Sequence, residues 1–239
     1  MSSKQNISAE RELFDSSMDN FEPFDWAAKE LLYSWLEREG RISPSSSILD
    51  LAAGSGNFTK ILLHHGHRVI GFDLAFNLIK TLRNRFGLRQ VFVGRAEQLA
   101  LADGSFDVVT MCGVLHHFPD MLPLLSEVSR VLKPGGVLFA IDPNLHNPWM
   151  FLFRSSASPF YISKGVTRNE RPLRRKETEA ALSRTFPVCS VKGICGVTLL
   201  KSGTFLDLFL SGFNAYSRVM GKLLPQSRYG EFLICTGQK

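Results

Sequence analysis

Two glycines lie between an apolar run and a helical pattern in the segment SILDLAAGSGNFTKIL, residues 47–62. Gly54 and Gly56 can adopt backbone angles that other residues resist, and they let a ligand approach the main chain at the N-terminus of the following helix. Asp73 ends the next apolar run, where a carboxylate can accept hydrogen bonds from both hydroxyls of a ribose. The turn and the carboxylate together predict a site for a nucleoside-bearing ligand.

The residues around the turn indicate which nucleoside it binds. A dinucleotide fingerprint requires G-x-G-x-x-G, and Thr59 replaces the third glycine in this chain. Asp50, at the mouth of the turn, would repel a pyrophosphate but suits a ligand that carries an ammonium and a sulfonium group. These residues therefore favour S-adenosylmethionine over a nicotinamide dinucleotide.

Three histidines follow predicted strands, where a methyl acceptor could lie. His116 and His117 come after the run FDVVTMC, and His146 comes after GGVLFAID. Methyl transfer from a sulfonium is an in-line displacement that mainly requires an acceptor held behind the methyl carbon with water excluded. A hydroxyl acceptor must also lose a proton, which a histidine can take. We predict that His117 is the base or a substrate contact, and a polar loop residue is the alternative interpretation.

The sequence predicts no metal site. One group of histidines lies near a helix end: His64, His65 and His67. No carboxylate or cysteine is close to them in the sequence, which argues against metal binding. The chain has four cysteines, Cys112, Cys189, Cys195 and Cys235. None of them forms a C-x-x-C pair or stands at zinc-site spacing from histidines, so we expect buried thiols.

Short apolar runs alternate with helical patterns from about residue 47 to residue 142. The predicted strands are continuous apolar runs, as expected for a parallel sheet covered on both faces, and they indicate a doubly wound α/β fold. The predicted helices lie at about residues 26–38, 57–65, 75–86, 121–132, 176–185 and 205–224. The predicted strands are SILDLA, HRVIGFD, RQVFVG, FDVVTMC, GGVLFAID, residues 188–195 and EFLICTG.

Four motifs in order resemble the class I S-adenosylmethionine-dependent methyltransferases in their small-molecule branch. LDLAAGSGNFT resembles the family's first loop, and GFDLA resembles its ribose-binding strand end. GRAEQLALADGSFDVVTMCGVLHHFPD is similar to the adenine loop and fourth strand, and EVSRVLKPGGVLFAIDP to the fifth helix and strand. The resemblance covers about residues 47–142. It implies a Rossmann-like, seven-stranded, mostly parallel sheet whose last strand, here EFLICTG, runs antiparallel.

The resemblance also implies roles for individual residues. The cofactor-binding positions would be Asp50, Ala52, Gly54, Gly56, Asp73, Leu74, Ala96, Glu97 and Cys112. The first four would border the methionine and ribose parts of the cofactor, and Asp73 would hold the ribose. Leu74 would pack on the adenine, Ala96 and Glu97 would lie in the adenine loop, and Cys112 would offer its backbone to the methionine moiety.

The chain departs from the family pattern at two positions. Ala52 replaces the usual first glycine of the loop. Arg95 replaces the aspartate that family members often place before Ala96, where it contacts the adenine amino group. Arg95 motivates an alternative interpretation, in which the chain is a non-catalytic module that binds a cofactor or a partner.

The predicted domain organisation is an N-terminal helical segment, residues 1–45, and a methyltransferase domain, residues 46–239. Two insertions, at about residues 143–175 and 197–228, are expected to form a lid over the strand ends. The first insertion is aromatic, with Phe151, Phe153, Phe160 and Tyr161. These rings suggest an apolar acceptor such as an aromatic, polyketide, isoprenoid or lipid-like compound that undergoes O- or C-methylation. Packing of the insertion onto the sheet is the equally weighted alternative.

The net charge of +6 is unevenly distributed, because residues 154–239 hold 14 basic and 5 acidic side chains. The densest run, RNERPLRRKE at residues 168–177, could contact an anionic substrate or a membrane surface, or could be a solvated loop. We expect no nucleic-acid partner, because basic and aromatic residues are not interleaved. An RNA or protein methyltransferase is disfavoured because no N-P-P-Y run follows the fourth strand.

The sequence also suggests a location. It contains no apolar stretch near the ~20 residues of a membrane-spanning helix, and MSSKQNISAERELF lacks the apolar core of a signal peptide. We therefore expect a cytoplasmic protein.

Overall fold

The apolar runs form one seven-stranded sheet in the computed structural model, which describes residues 7–17, 24, 26–162, 170–197 and 206–239. The strands are β1 (Ile48–Leu51), β2 (Val69–Asp73), β3 (Val91–Val93), β4 (Phe106–Cys112), β5 (Leu132–Pro143), β6 (Val188–Ile194) and β7 (Phe232–Gln238). Their order in the sheet is β3-β2-β1-β4-β5-β7-β6. The neighbours from β3 to β5 pair in parallel, whereas β7 is antiparallel to β5 and to β6. The predicted fold and its antiparallel last strand are confirmed.

The strand order reverses between β1 and β4, which are neighbours in the sheet although β2 and β3 separate them in the chain. In open α/β sheets, ligands bind in the crevice at the carboxyl ends of the strands next to such a reversal. The turn after β1 and the residues after β4 therefore lie on the edge of the sheet where a ligand site is expected.

The predicted helices agree with the observed ones to within two residues at each end. The helices are α1 (Ile7–Ser17), α2 (Trp26–Glu39), α3 (Asn57–His64), α4 (Phe76–Phe86), α5 (Leu122–Val131), α6 (Pro148–Arg154), α7 (Arg175–Ser183), α8 (Leu206–Leu223) and α9 (Gln226–Tyr229). Sequence reasoning missed α1, α6 and α9. Among the described residues, no helix is both long and apolar enough to cross a membrane.

Both faces of the sheet are buried, which explains the unbroken apolar runs. Along β5, Leu138 packs into a cluster with Leu124 and Val128 of α5. The next residue, Phe139, belongs to the cluster on the other face, which includes Leu32 of α2 and Phe58 of α3. Consecutive strand residues point to opposite faces, so both must be apolar when helices cover both faces.

The aromatic rings of the first insertion differ in their exposure. Phe151 is 46% exposed and Phe160 is 62% exposed, so these two rings do not form a dry inner face in the described part of the chain. Phe153 instead packs on the ring of Trp149, with 4.8 Å between ring centroids. Residues 163–169 and 198–205, which belong to the two predicted insertions, lie outside the described residues.

Candidate functional site

The turn after β1 has the backbone geometry of a ligand-binding loop. Ala52, Gly54 and Gly56 all have positive φ, at 53°, 56° and 93°. Gly56 immediately precedes α3, and a Cβ there would lie 2.5 Å from the ring of Phe86. Glycine is therefore required at position 56 for packing as well as for conformation. The first N–H groups of α3, which have no partner within the helix, begin directly after this turn.

Asp73 ties the end of β2 to the glycine turn. Its Oδ2 accepts a hydrogen bond from the N–H of Gly54 at 2.8 Å, and its Oδ1 accepts one from the N–H of Ala75 at 2.9 Å. Burial raises the pKa of the Asp73 carboxyl, and the backbone N–H groups of Ala75, Gly54 and Leu74 oppose that increase. Each carboxylate oxygen keeps a further lone pair that can accept a hydroxyl. The structure thus brings Asp73 and Gly54 together, as the spacing predicted.

Asp50 lies in β1 and is 1% exposed. The Thr59 hydroxyl donates to its Oδ2 at 2.6 Å, and the Thr110 hydroxyl donates to its Oδ1 at 3.0 Å. Burial raises the pKa of Asp50 to about 6, although both hydroxyl donors oppose the increase. Thr59, which replaces the third glycine of a dinucleotide fingerprint, therefore anchors a carboxylate. Burial and the nearby Asp50 charge also raise the pKa of the Cys112 thiol at the end of β4.

The loop predicted to hold the adenine contains an ion pair. The Arg95 guanidinium lies 3.1 Å from a carboxylate oxygen of Glu97, and these side chains are 47% and 15% exposed. Ala96 packs against the core cluster beneath the loop, and Leu74 is half-buried at the end of β2. Arg95 therefore faces a neighbour within its own loop, and an exposed pair of this kind contributes little stability.

A second group of polar side chains lies beyond β4 and β5. Asp142 is fully buried, and its Oδ1 lies 2.6 Å from Nδ1 of His116. Asp142 also accepts hydrogen bonds from the backbone N–H groups of Leu115 and His116. Burial lowers the pKa of His116, His117 lowers it further, and Asp142 opposes both. A neutral His116 that donates from Nδ1 to Asp142 carries its lone pair on Nε2.

His117 lies beside His116, with 4.2 Å between the ring centroids. Its Nδ1 is buried and has no hydrogen-bond partner. The nearest carboxylate oxygens belong to Glu10, at 3.5 Å, and Glu170, at 4.0 Å. Arg154 donates to the other oxygen of Glu170 at 3.0 Å. The third histidine proposed as an acceptor contact, His146, lies instead among charges from α7 and α9.

Helix α1 covers this edge of the sheet, which sequence reasoning did not foresee. Glu10 and Phe14 of α1 approach His117, with 5.6 Å between the rings of Phe14 and His117. Asp15 accepts a hydrogen bond from the N–H of Asn77 in α4 at 3.0 Å. The helix therefore extends from α4, which follows β2, to the histidine pair.

Three residues of the site were missed by sequence reasoning: Glu10, Asp142 and Glu170. Asp142 could have been found from the sequence, because it is the last residue of the predicted strand GGVLFAID, one position before the end of β5. The other two lie in segments without a motif, and only the fold brings them to the histidines.

Comparisons of the sequence with known proteins find similarity to methyltransferases. Residues 49–140 match the model of a family described as a methyltransferase domain. A demethylmenaquinone methyltransferase of Chlorobaculum parvum is 34% identical over 114 residues, which are 47% of this chain and 46% of that protein. A malonyl-[acyl-carrier protein] O-methyltransferase of Serratia marcescens is 31% identical over 99 residues, which are 41% of this chain and 39% of that protein. The chain spans about half the length, or less, of the curated relatives it matches.

A solved structure shows the same fold. The S-adenosylmethionine-dependent methyltransferase of Archaeoglobus fulgidus superposes with a TM-score of 0.60, covering 88% of this chain and 94% of that chain at 18% identity. Residues 49–140, which match the family model, contain the glycine turn, Asp73, the loop of Arg95 and the histidine pair. Residues 49–140 thus match a methyltransferase domain, and the sheet order and the superposition show the fold of the class I S-adenosylmethionine-dependent methyltransferases.

Proposed function

We propose that the protein transfers the methyl group of S-adenosylmethionine to a small-molecule acceptor. The observation that carries this proposal is the hydrogen bond between Asp73 and the N–H of Gly54, because it holds the carboxylate proposed to bind the ribose against the glycine turn, next to the strand-order reversal. Bound there, the cofactor supplies an activated methyl group, and the chain must position an acceptor and exclude water.

The proposed cofactor contacts are those implied by the family resemblance. They are Asp50, Ala52, Gly54, Gly56, Asp73, Leu74, Ala96, Glu97 and Cys112. Asp73 is supported most directly, because its carboxylate is held at the turn by two backbone N–H groups and keeps lone pairs for ribose hydroxyls. Asp50 is 1% exposed, and each of its oxygens accepts a threonine hydroxyl, so we propose that it acts on the cofactor through its charge.

The acceptor would occupy a cavity of about 600 Å³ that is lined in part by Glu170, the carboxylate beside His117. Its wall combines apolar side chains, such as Met121 and Leu122, with four arginines and three carboxylates, so the arginines are in excess by one. This lining supports an acceptor with an apolar body and an anionic group, methylated on oxygen or carbon. The arginines belong to the basic C-terminal third of the chain, which we propose contacts the anionic group of the acceptor or an anionic membrane surface.

Two relatives offer acceptor types for a first screen. Their names specify demethylmenaquinone, an isoprenoid quinone, and malonyl-[acyl-carrier protein], whose acyl group is anionic. An aromatic, polyketide, isoprenoid or lipid-like acceptor is consistent with both the cavity and these names.

The test is release of S-adenosylhomocysteine over a panel of phenols, quinones, polyketides and acyl thioesters, with cofactor affinity measured separately by calorimetry. Turnover with one class of acceptor supports the proposal. Cofactor binding without turnover on any acceptor would favour the alternative, a non-catalytic module. Absence of cofactor binding would contradict both.

The role proposed for His117, as base or acceptor contact, is tested by His117→Ala. We expect turnover to fall at least tenfold while the dissociation constant of S-adenosylmethionine stays within twofold, because His117 lies on the acceptor side. The matched control is His65→Ala, which removes a histidine at the end of α3. Unchanged turnover in His117→Ala would contradict this role.

A further inference from the structure

The group around His116 and His117 has the composition of a metal site. His116, His117 and Glu170 each offer one ligand atom, and these three atoms lie within 4.8 Å of one another. We propose that these three residues bind a divalent first-row transition-metal ion.

The distances require some closure around a metal. His116 Nε2 lies 3.9 Å from one oxygen of Glu170, and His117 Nδ1 lies 4.0 Å from the other. Bonds of about 2.1 Å to a tetrahedral zinc ion place ligand atoms about 3.4 Å apart, so the three ligand atoms, which lie within 4.8 Å of one another, would close by up to about 1.4 Å. Glu10 lies 3.5 Å from His117 Nδ1 but is not within 4.8 Å of all three ligand atoms, so the protein supplies three ligands and leaves a coordination position open.

Asp142 supplies the support that metal-binding histidines normally have. A histidine ligand usually donates its other ring N–H to a carboxylate, which fixes the tautomer and the ring orientation. His116 Nδ1 makes this contact with Asp142 at 2.6 Å, so its Nε2 is left to face Glu170. The backbone N–H groups of Leu115 and His116 hold Asp142 in turn.

The Nδ1 atom of His117 is a second, independent indication. His117 is 9% exposed, and its Nδ1 is buried without a hydrogen-bond partner. A buried polar atom without a partner is costly, and it marks a place where a ligand could bind. Because two imidazoles and one carboxylate converge there, the preferred ion is zinc, iron(II) or cobalt(II) rather than calcium or magnesium, which prefer oxygen ligands.

The location suggests what the ion would do, and this consequence rests on the proposed function. Glu170 lines the cavity proposed for the acceptor. A metal with an open coordination position could bind an acceptor oxygen there and lower the pKa of its hydroxyl. Metal ligation uses the His117 lone pair that a free base would need, so the two roles exclude each other.

The experiment uses the full chain after treatment with a chelator. Zinc is titrated against a chromophoric competitor for wild type, Glu170→Gln and the control Glu30→Gln. Glu30 belongs to the second group that could hold a metal, with His64 and His65, and that group is partly exposed. The thermal unfolding midpoint of each variant is measured with and without zinc, and cobalt(II) absorption reports the ligand field independently.

We expect one zinc ion per chain, an affinity at least tenfold lower in Glu170→Gln, and no change in Glu30→Gln. Zinc should raise the unfolding midpoint of wild type but not of Glu170→Gln. If Glu170→Gln does not fold, His117→Gln removes another ligand and should show the same loss. The proposal is overturned if wild type binds no zinc, if both ligand variants bind it like wild type, or if Glu30→Gln loses it.

The same preparation separates this inference from the proposed function. Calorimetry with S-adenosylmethionine on the metal-free protein tests the cofactor site alone. Cofactor binding without zinc binding would overturn only the metal site, whereas zinc binding without cofactor binding would overturn only the proposed function.

Discussion

The two halves of the proposed site, a cofactor side at the glycine turn and an acceptor side at the histidine pair, are built in different ways. On the cofactor side, the turn at Gly54 and the carboxylate of Asp73 are 19 residues apart, and one hydrogen bond joins them. On the acceptor side, His117 approaches Glu10 and Glu170, which come from distant parts of the chain. The first half is assembled by adjacent strands and their turns, and the second by a terminal helix and a segment after the fifth strand.

This difference indicates how each half responds to change. Backbone N–H groups hold the cofactor side, so its geometry depends on main-chain conformation at a few positions. Side chains from separate elements hold the acceptor side, so its geometry depends on buried carboxylates that organise the histidines. If the halves are independent, substitutions in one should leave binding to the other unchanged.

The largest effect is expected for Asp142→Ala. This change removes the acceptor of His116 Nδ1 and of two backbone N–H groups, and each buried donor left without a partner costs about 1–3 kcal/mol. We expect an unfolding free energy lower by roughly 3–5 kcal/mol and an unfolding midpoint lower by about 10 °C. Turnover should fall, and the dissociation constant of S-adenosylmethionine should stay within about twofold.

Differential scanning calorimetry and cofactor titration check this prediction. The control is Glu177→Ala, which removes an exposed carboxylate of α7. A loss of cofactor affinity as large as the loss of stability would show that the two halves are coupled.

The next effect concerns pH and the carboxyl of Asp50. Its pKa is raised to about 6 by burial, so the folded chain binds this proton more tightly than the unfolded chain. The unfolding free energy should therefore fall as the pH rises from about 4 to 6, by on the order of 3 kcal/mol, and remain lower above that range. Asp50→Asn should remove this dependence and be more stable than wild type at pH 8, while binding S-adenosylmethionine more weakly.

Asp107 offers a control of opposite sign. Burial acts to raise its pKa, but the ammonium of Lys133 and the donors of Ser47 outweigh that effect and lower the pKa to about 2. Asp107→Asn should therefore lose stability above about pH 4, where Asp50→Asn gains it. Chemical denaturation at pH 5 and pH 8 distinguishes the two variants. Equal pH dependence in wild type and Asp50→Asn would refute the prediction.

A smaller effect is expected for Asp73→Ala. The carboxylate should bind the ribose, so its loss should weaken S-adenosylmethionine binding by about 1–3 kcal/mol, or roughly tenfold to a hundredfold. Asp120→Ala is the matched control, because Asp120 also accepts a backbone N–H bond but does so at the start of α5. An unchanged dissociation constant in Asp73→Ala would remove the ribose assignment.

The contrast between the halves also explains what could be predicted from the sequence. The strand runs and the glycine turn predicted the sheet, because local patterns decide which face each residue buries and where a helix begins. The Asp73 to Gly54 contact was predictable because adjacent parallel strands end at the same edge. The prediction for His117 did not include Asp142, which forms a hydrogen bond with the neighbouring His116.

The partners of the histidines were not predictable because they carry no local signal. Glu10 lies in a helix that no motif identified, and Glu170 lies in a basic segment that was interpreted by its net charge. Phe151 and Phe160 were expected to face inward and are exposed, since aromatic composition alone does not specify direction. Ala52 is the reverse case. The sequence shows that this residue departs from the family pattern, but only the backbone conformation shows that the departure costs conformational energy.

The smallest expected effect tests that departure. Ala52 occupies a position with φ of 53°, where the family pattern that the first loop resembles has glycine, and a left-handed conformation costs a residue with a Cβ roughly 1 kcal/mol. Ala52→Gly relieves this strain but also adds freedom to the unfolded chain, so we expect a net gain below about 1 kcal/mol. Ala53→Gly, at the next position and without positive φ, should instead lose stability. If both variants lose stability equally, the turn is not strained at Ala52, and the cofactor side is held by packing rather than by main-chain conformation.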